Sequence, residues 1–445
     1  MSDAYAKLVR RVDARIIPFI FVLHLASFLD RVNIGHARLY GMEAAIGITS
    51  SQYAVSLSIF FVGYVLFEVP SNLMMKQTTA PRWIGSIMVA WGLATMFTAA
   101  VNNYSQLLVI RILLGVAESG FFPGMIHYLS FWYSRRQQGL RIAMLTCAST
   151  VASCISGPIS YSISSLDGHW LRSWQWVFVI EGAPTILLGI VTVLLMPSSP
   201  KDAKWLSPAE SDLLAHHLTA SHVEIHASRF DKKQFIQAFT DYKTYMYMAL
   251  YFTFMCPMYS TALLMPTIVK DLGFETATTM LLTAPPYLCA IIFNLTLAYN
   301  SDRTMNRSFH VMFAALFASI GFLTLLLAKT TALRYAAICF VACGVSSATA
   351  PTLSWVNNNL VGSTRAATAS ALIIMFGNCG GILAGQFYSQ DEAPTYFRSH
   401  TINLALLCAT LLLSLTLRFL LANENHTMDN NHRSDKQTTE FRYIL

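Results

Sequence analysis

Charge is what this sequence has least of: Asp, Glu, Lys and Arg make up 12% of its 445 residues. That is about half the share found in soluble domains. A soluble chain of this length would have too few charges to cover its core, so that class is excluded. Cysteine is present without forming a framework. The eight cysteines, 147, 154, 256, 289, 339, 343, 379 and 408, all fall in apolar segments, which suits small buried hydrophobes and not disulfides. Cys339 and Cys343 share a helix face, but nothing near them in sequence completes a zinc site. Also missing are a nucleophile–base pair, a metal-ligand cluster and a phosphate-binding glycine loop. Gly377, Gly380, Gly381 and Gly385 lie inside an apolar run, not between a strand and a helix. An enzyme is therefore not expected, and no cofactor or metal is called for. The net charge of +7 does not point to nucleic acid, because long apolar runs separate the basic residues.

What the chain has instead is apolar length: 54% of its residues are hydrophobic and its mean hydropathy is +0.48. A helix needs about 20 apolar residues to cross the hydrocarbon layer. Such runs recur at 16–36, 53–75, 83–101, 104–128, 139–163 and 176–196, then at 244–268, 279–299, 309–328, 333–354, 366–388 and 399–421. The expectation is an all-α membrane protein with twelve transmembrane helices in two six-helix halves. The halves cover 1–196 and 244–421, joined by a polar cytoplasmic linker at 197–243. The stretch 422–445 reads as a disordered cytoplasmic tail.

Lys and Arg favour the side of the membrane that holds the N-terminus by roughly three to one, which places both termini in the cytoplasm. The first apolar run follows Lys7, Arg10, Arg11 and Arg15 and ends in Asp30-Arg31-Val32-Asn33 without a small-residue cleavage site. It reads as an uncleaved anchor. The plasma membrane is the default location and an organelle membrane the alternative. The sequon Asn103-Tyr104-Ser105 lies in an outer loop too short to favour glycosylation.

An ionisable residue inside a span is expensive unless it faces a cavity or a partner, so each is a functional candidate. The set is Asp30 and Arg31 in helix 1, Glu68 in helix 2, Arg111 and Glu118 in helix 4, and Glu181 in helix 6. Arg111 and Glu118 are seven residues apart, hence on one helix face about 10 Å apart along the axis. Depth counting puts Asp30 and Arg111 at comparable heights, so either an Asp30–Arg111 or an Arg31–Glu118 pair is geometrically reasonable. Arginine keeps its charge when buried and can grip a carboxylate with two parallel hydrogen bonds. Low-dielectric surroundings favour the neutral form of a carboxylate, which lets such a group load and release a proton. The competing reading is a static salt-bridge cluster fixing helices 1 and 4. Glu68 and Glu181, near span ends, fit a static role better. His24 and His127 fit packing better than proton relay. Tyr64, Tyr251, Tyr259 and Asn378 are polar groups that could line a cavity.

At these residues the chain resembles a major facilitator superfamily transporter of the anion:cation symporter family. The strings are Phe28-Leu29-Asp30-Arg31-Val32-Asn33-Ile34-Gly35, Phe67-Glu68-Val69-Pro70-Ser71-Asn72 and the helix 4 run from Arg111 to Gly124. Phe178-Val179-Ile180-Glu181-Gly182, Ala284-Pro285-Pro286-Tyr287 and Gly377-Asn378 extend the likeness. The helix 4 string is similar to the fungal branch of allantoate and nicotinate permeases. The resemblance implies a monomeric, proton-driven symporter of a small organic anion working by alternating access. Such an anion would be a vitamin or nitrogen-metabolite carboxylate such as nicotinate, allantoate or pantothenate. It associates Arg31 and Arg111 with the substrate, Asp30 and Glu118 with proton coupling, and Asp302-Arg303 with a gating loop. The loop after helix 2 departs from the superfamily pattern, having no Asp beside Lys76. A facilitator of the same fold without proton coupling and a nutrient sensor that does not transport are the alternatives.

Overall fold

A computed structural model describes residues 3–133, 135–166, 170–226, 231–360, 363–388, 392–432 and 442–445. Among the described residues all repeating structure is helical. The helices fall into two compact units. Unit 1 is Met1–Ala227 with Ala262–Pro285 and Ile382–Pro394; unit 2 is Ser228–Thr261, Pro286–Gly381 and Thr395–Leu445.

The first half of the chain forms α1 (Asp3–Leu39), α2 (Met42–Ile46), α3 (Ser50–Gln77), α4 (Ala80–Thr98), α5 (Tyr104–Glu118), α6 (Phe121–Ser130), α7 (Arg135–Ile163), α8 (Ser173–Leu195) and α9 (Pro208–His226). The second forms α10 (Lys232–Thr240), α11 (Tyr242–Lys270), α12 (Thr276–Leu282), α13 (Ala284–Thr304), α14 (Arg307–Leu327), α15 (Thr331–Ser347), α16 (Thr349–Asn359), α17 (Ser363–Phe387) and α18 (Phe397–His432).

Eleven helical stretches among the described residues are long and apolar enough to cross a membrane, against the twelve expected. The missing one is α4, which is present as a helix of 19 residues but carries Pro81 and Arg82 in its first turn. Three expected spans are each two helices end to end. The breaks fall at Ser119-Gly120, Thr283 and Ala348, just before Pro123, Pro285-Pro286 and Pro351. A proline has no N–H for the carbonyl four residues earlier, so the ladder loses a bond there. Proline alone does not suffice, since Pro18, Pro70, Pro158, Pro184, Pro257 and Pro266 sit inside unbroken helices. The tail also departs from expectation. Helix α18 runs on to His432, and Arg442–Leu445 is ordered against unit 2. Polar composition read as disorder because it hides specific partners: Glu424 of this stretch pairs with Lys243 at 2.6 Å.

Helix starts near the site are well capped. Thr49 and Gln52 form a reciprocal capping box at α3, with the Thr49 hydroxyl accepting from the Gln52 N–H at 3.2 Å. Asn103 caps α5 by accepting from the Gln106 N–H at 3.0 Å. In unit 1 the helices meet through glycine. A Cβ on Gly115 of α5 would lie 2.0 Å from the Phe60 carbonyl oxygen of α3. Gly85 of α4 and Gly189 of α8 face each other, each within 3 Å of the other's carbonyl oxygen by the same measure. Close backbone approach of this kind is how spans associate when lipid removes the hydrophobic drive. The segments 262–285 and 382–394 join unit 1 through polar contacts. His36 touches the Met280 sulfur and the Ser156 hydroxyl, both at 3.1 Å, and Ser58 donates to the Ile382 carbonyl at 2.6 Å.

Candidate functional site

Three buried charged residues of unit 1, on α1 and α5, come together against α3. Ser27 and Arg31 are one turn apart on α1 and share a face. Both reach Oε1 of Glu118, near the end of α5: the Ser27 hydroxyl donates at 2.6 Å, and the Arg31 guanidinium forms an ion pair there. Arg111 lies two turns earlier on α5 and donates through Nε to the Ser56 carbonyl of α3 at 3.3 Å. Arg111 and Glu118 are each only 1% exposed, so three formal charges share an interior where water does not screen them.

Aromatic rings hold the two guanidinium groups. Arg31 sits 5.8, 5.4 and 5.3 Å from the ring centres of Phe28, Phe60 and Tyr64. Arg111 lies 5.2 Å from the same Phe60 ring. Each such contact is worth about 0.5–2 kcal/mol, and they supply directional attraction without cancelling the charge. With two arginines and one glutamate, the cluster's formal charge is positive. Oε2 of Glu118 has no hydrogen-bond partner among the described residues.

Of the two pairings open from sequence, the Arg31–Glu118 pair forms. Asp30 turns elsewhere, because adjacent helical residues point about 100° apart. Its Oδ2 accepts from the Trp91 indole of α4 at 3.1 Å and the Thr185 hydroxyl of α8 at 2.8 Å. Glu181, one turn before Thr185, is buried and faces Asp30 and Asn33. Glu181 was expected near a span end in a static role; the structure places it deep in α8 beside the other carboxyl. The i, i+4 spacing of Glu181 and Thr185 was the available signal, and Phe60 with Tyr64 shows the same spacing on α3. Glu68 is also buried, in the body of α3. His24 packs against Phe121 and Phe122, at ring distances of 6.0 and 5.4 Å.

The remaining candidates lie in unit 2. The Tyr259 hydroxyl donates to Asn378 Oδ1 at 2.9 Å, linking α11 to α17. The Tyr251 ring packs onto Gly377, where a Cβ would come within 2.1 Å of it. Asp302 pairs with Arg307, whose guanidinium also donates to the Ser301 hydroxyl at 3.0 Å. Arg303 is exposed at the end of α13. Among the described residues no group of three or more His, Cys, Asp or Glu could hold a metal.

Comparison with known proteins agrees with this architecture. The family model described as Major Facilitator Superfamily matches residues 20–385. A protein of Agrobacterium vitis named a tartrate transporter is 33% identical over 426 residues, covering 95% of this chain and 93% of the relative. A protein of Pseudomonas putida named metabolite transport protein NicT is 33% identical, with 85% of this chain and 86% of the relative covered. Among solved structures, a bacterial homologue of the human lysosomal transporter Spinster superposes with a TM-score of 0.66. That alignment is 13% identical and covers 92% of this chain and 96% of the other, so it speaks to fold alone. The helical spans and the length of these matches carry one conclusion: the chain is a multi-pass membrane transporter, not an enzyme, and belongs to the Major Facilitator Superfamily.

Proposed function

We propose that this transporter is a proton-coupled symporter of a small organic anion, of the anion:cation symporter kind, working by alternating access. The observation that carries the reading is the buried Arg31–Glu118 pair with Arg111 beside it. While Glu118 is ionised it occupies the Arg31 guanidinium. Protonating Glu118 releases that guanidinium and raises the local formal charge by one. The cluster then attracts a carboxylate more strongly, so proton and anion bind with positive coupling. Arg31 and Arg111 bind the anion, Glu118 carries a proton, and Asp30 with Glu181 forms a second acidic station. Tyr64, Tyr251, Tyr259 and Asn378 act as polar lining, and Asp302 with Arg303 belongs to a gating loop. Two guanidinium groups suit one carboxylate held by a fork or the two ends of a short dicarboxylate. The relative named for tartrate, itself a dicarboxylate, supports the anionic class. A plasma-membrane location is part of the proposal.

The test is proton influx into vesicles containing the purified protein, on adding tartrate, nicotinate, allantoate or pantothenate one at a time. An acid that carries protons in while its amide does not establishes symport and substrate class together. Glu118→Gln is expected to abolish accumulation driven by a pH gradient while preserving exchange of substrate across the membrane. Equal loss of accumulation and exchange would make Glu118 structural or a substrate ligand. Uptake by the parent protein that ignores pH would point to a facilitator.

A further inference from the structure

The segment Arg442–Leu445 lies outside every span, yet unit 2 grips both backbone groups of Tyr443 and of Ile444. Asn425 of α18 donates from Nδ2 to the Tyr443 carbonyl at 2.9 Å and accepts from the Tyr443 N–H at 3.0 Å. Asn359 of α16 does the same for the next residue, both bonds to Ile444 measuring 2.8 Å. A primary amide paired with the N–H and C=O of one residue reproduces the exchange between antiparallel strands, so it reads an extended backbone and fixes its direction. The Trp355 indole adds a second donor to the Ile444 carbonyl at 2.8 Å, and the Ser308 N–H of α14 reaches the Leu445 carbonyl at 3.4 Å.

Side chains supply selectivity. Lys243 of α11 donates to the Tyr443 hydroxyl at 2.9 Å and lies 4.4 Å from its ring centre, while Arg442 pairs with Asp429 at 2.8 Å. The receiving groups are buried. Trp355 is fully buried, Asn359 is 5% exposed, and the Asn359 amide also donates to the Tyr247 hydroxyl at 2.9 Å. Four helices, α11, α14, α16 and α18, thus contribute to one cleft, and α16 is the short piece beyond the break at Ala348.

We propose that unit 2 carries a peptide-docking cleft whose occupant is the chain's own Arg442–Leu445, and that the docked segment straps α16 to α11, α14 and α18. A strap on a broken span restrains its second piece, so releasing it loosens α16 and speeds the transport cycle. The test uses the full chain in lipid nanodiscs and vesicles, with two variants that leave every span residue except Asn425 of the α18 extension intact. Ile444→Pro removes the one N–H that Asn359 reads; Asn425→Ala removes both bonds to Tyr443. Hydrogen exchange of the α16 backbone is expected to accelerate by about tenfold in each variant, with α4 and α8 unchanged. Substrate turnover is expected to rise at least about twofold, since the restraint on α16 is gone. Exchange of α16 at the parental rate in both variants would overturn the docking. Faster exchange with unchanged or lower turnover would overturn the restraint on transport.

Discussion

Gly115→Ala is the smallest change that should disable this transporter. The added Cβ would lie 2.0 Å from the Phe60 carbonyl oxygen and 3.0 Å from both the Phe60 carbonyl carbon and the Tyr64 nitrogen. All three are backbone atoms, so no side chain can swing aside. A carbon and a carbonyl oxygen rest no closer than about 3.3 Å, so α3 and α5 must part by roughly 1.3 Å. Those helices carry Phe60 and Tyr64 on one side and Arg111 and Glu118 on the other. The 3.3 Å bond from Arg111 to Ser56 would lengthen beyond hydrogen-bonding range. Overpacking costs about 1–3 kcal/mol of stability, and a displacement of about 1 Å at a site can cost a factor of order 100 in rate. Neighbouring glycines provide a graded control. At Gly63 the closest atom, the Ile112 carbonyl oxygen, is 2.7 Å away, while at Gly124 it is the flexible Met75 sulfur at 3.1 Å. Initial uptake rate per folded molecule should fall most for Gly115→Ala, less for Gly63→Ala and least for Gly124→Ala. Thermal unfolding in detergent should follow the same order. Uptake by Gly115→Ala within about twofold of the parent, in protein of normal stability, would refute the claim that α3–α5 spacing sets the site.

Two further substitutions probe the charges. Arg111→Lys keeps the charge but loses the planar fork, so uptake should drop below about a tenth of the parental rate; near-normal transport would dismiss a forked grip on the anion. Asp30→Asn retains an oxygen that accepts from Trp91 and Thr185, so folded yield should be preserved while the pH dependence of uptake flattens. An unchanged pH profile in that variant would remove Asp30 from the proton route.

Apolar run lengths and the charged residues within them were readable because both are properties of single residues at known heights on a helix. Azimuth was only partly readable. Seven-residue spacing correctly placed Arg111 and Glu118 on one face, but the facing of α1 depends on packing against α7 and α8, which no local pattern encodes. Hence both the Arg31 and the Asp30 pairings stayed open. The closeness of Glu181 to Asp30 was hidden for the same reason: its height followed from a span start set three residues late, and Asp30 belongs to another helix. Breaks at Ser119-Gly120, Thr283 and Ala348 had a visible cause in the following prolines, but six other prolines inside helices break nothing. The docking of Arg442–Leu445 left no trace in composition or periodicity. It rests on asparagine side chains reading a backbone, a contact that any sequence of polar residues could conceal.

The charge count separates a working site from a structural clamp. A clamp between α1 and α5 needs one arginine and one glutamate, and even that is a poor device, because apolar residues of similar volume often hold helices as well or better. Here a second arginine lies within the same interior, and its one side-chain hydrogen bond among the described residues goes to a backbone carbonyl, not to a carboxylate. Burying a charge in a span costs about 2.5–3.5 kcal/mol on insertion scales, and aromatic contacts to Phe60 offset only part of it. Stability gives no reason to keep Arg111. Under the proposed function an anionic substrate does, since its carboxylate would complement the surplus positive charge. Protonation of Glu118 would enlarge that surplus, so the same residues that make the site costly to bury would also tie the anion to the proton.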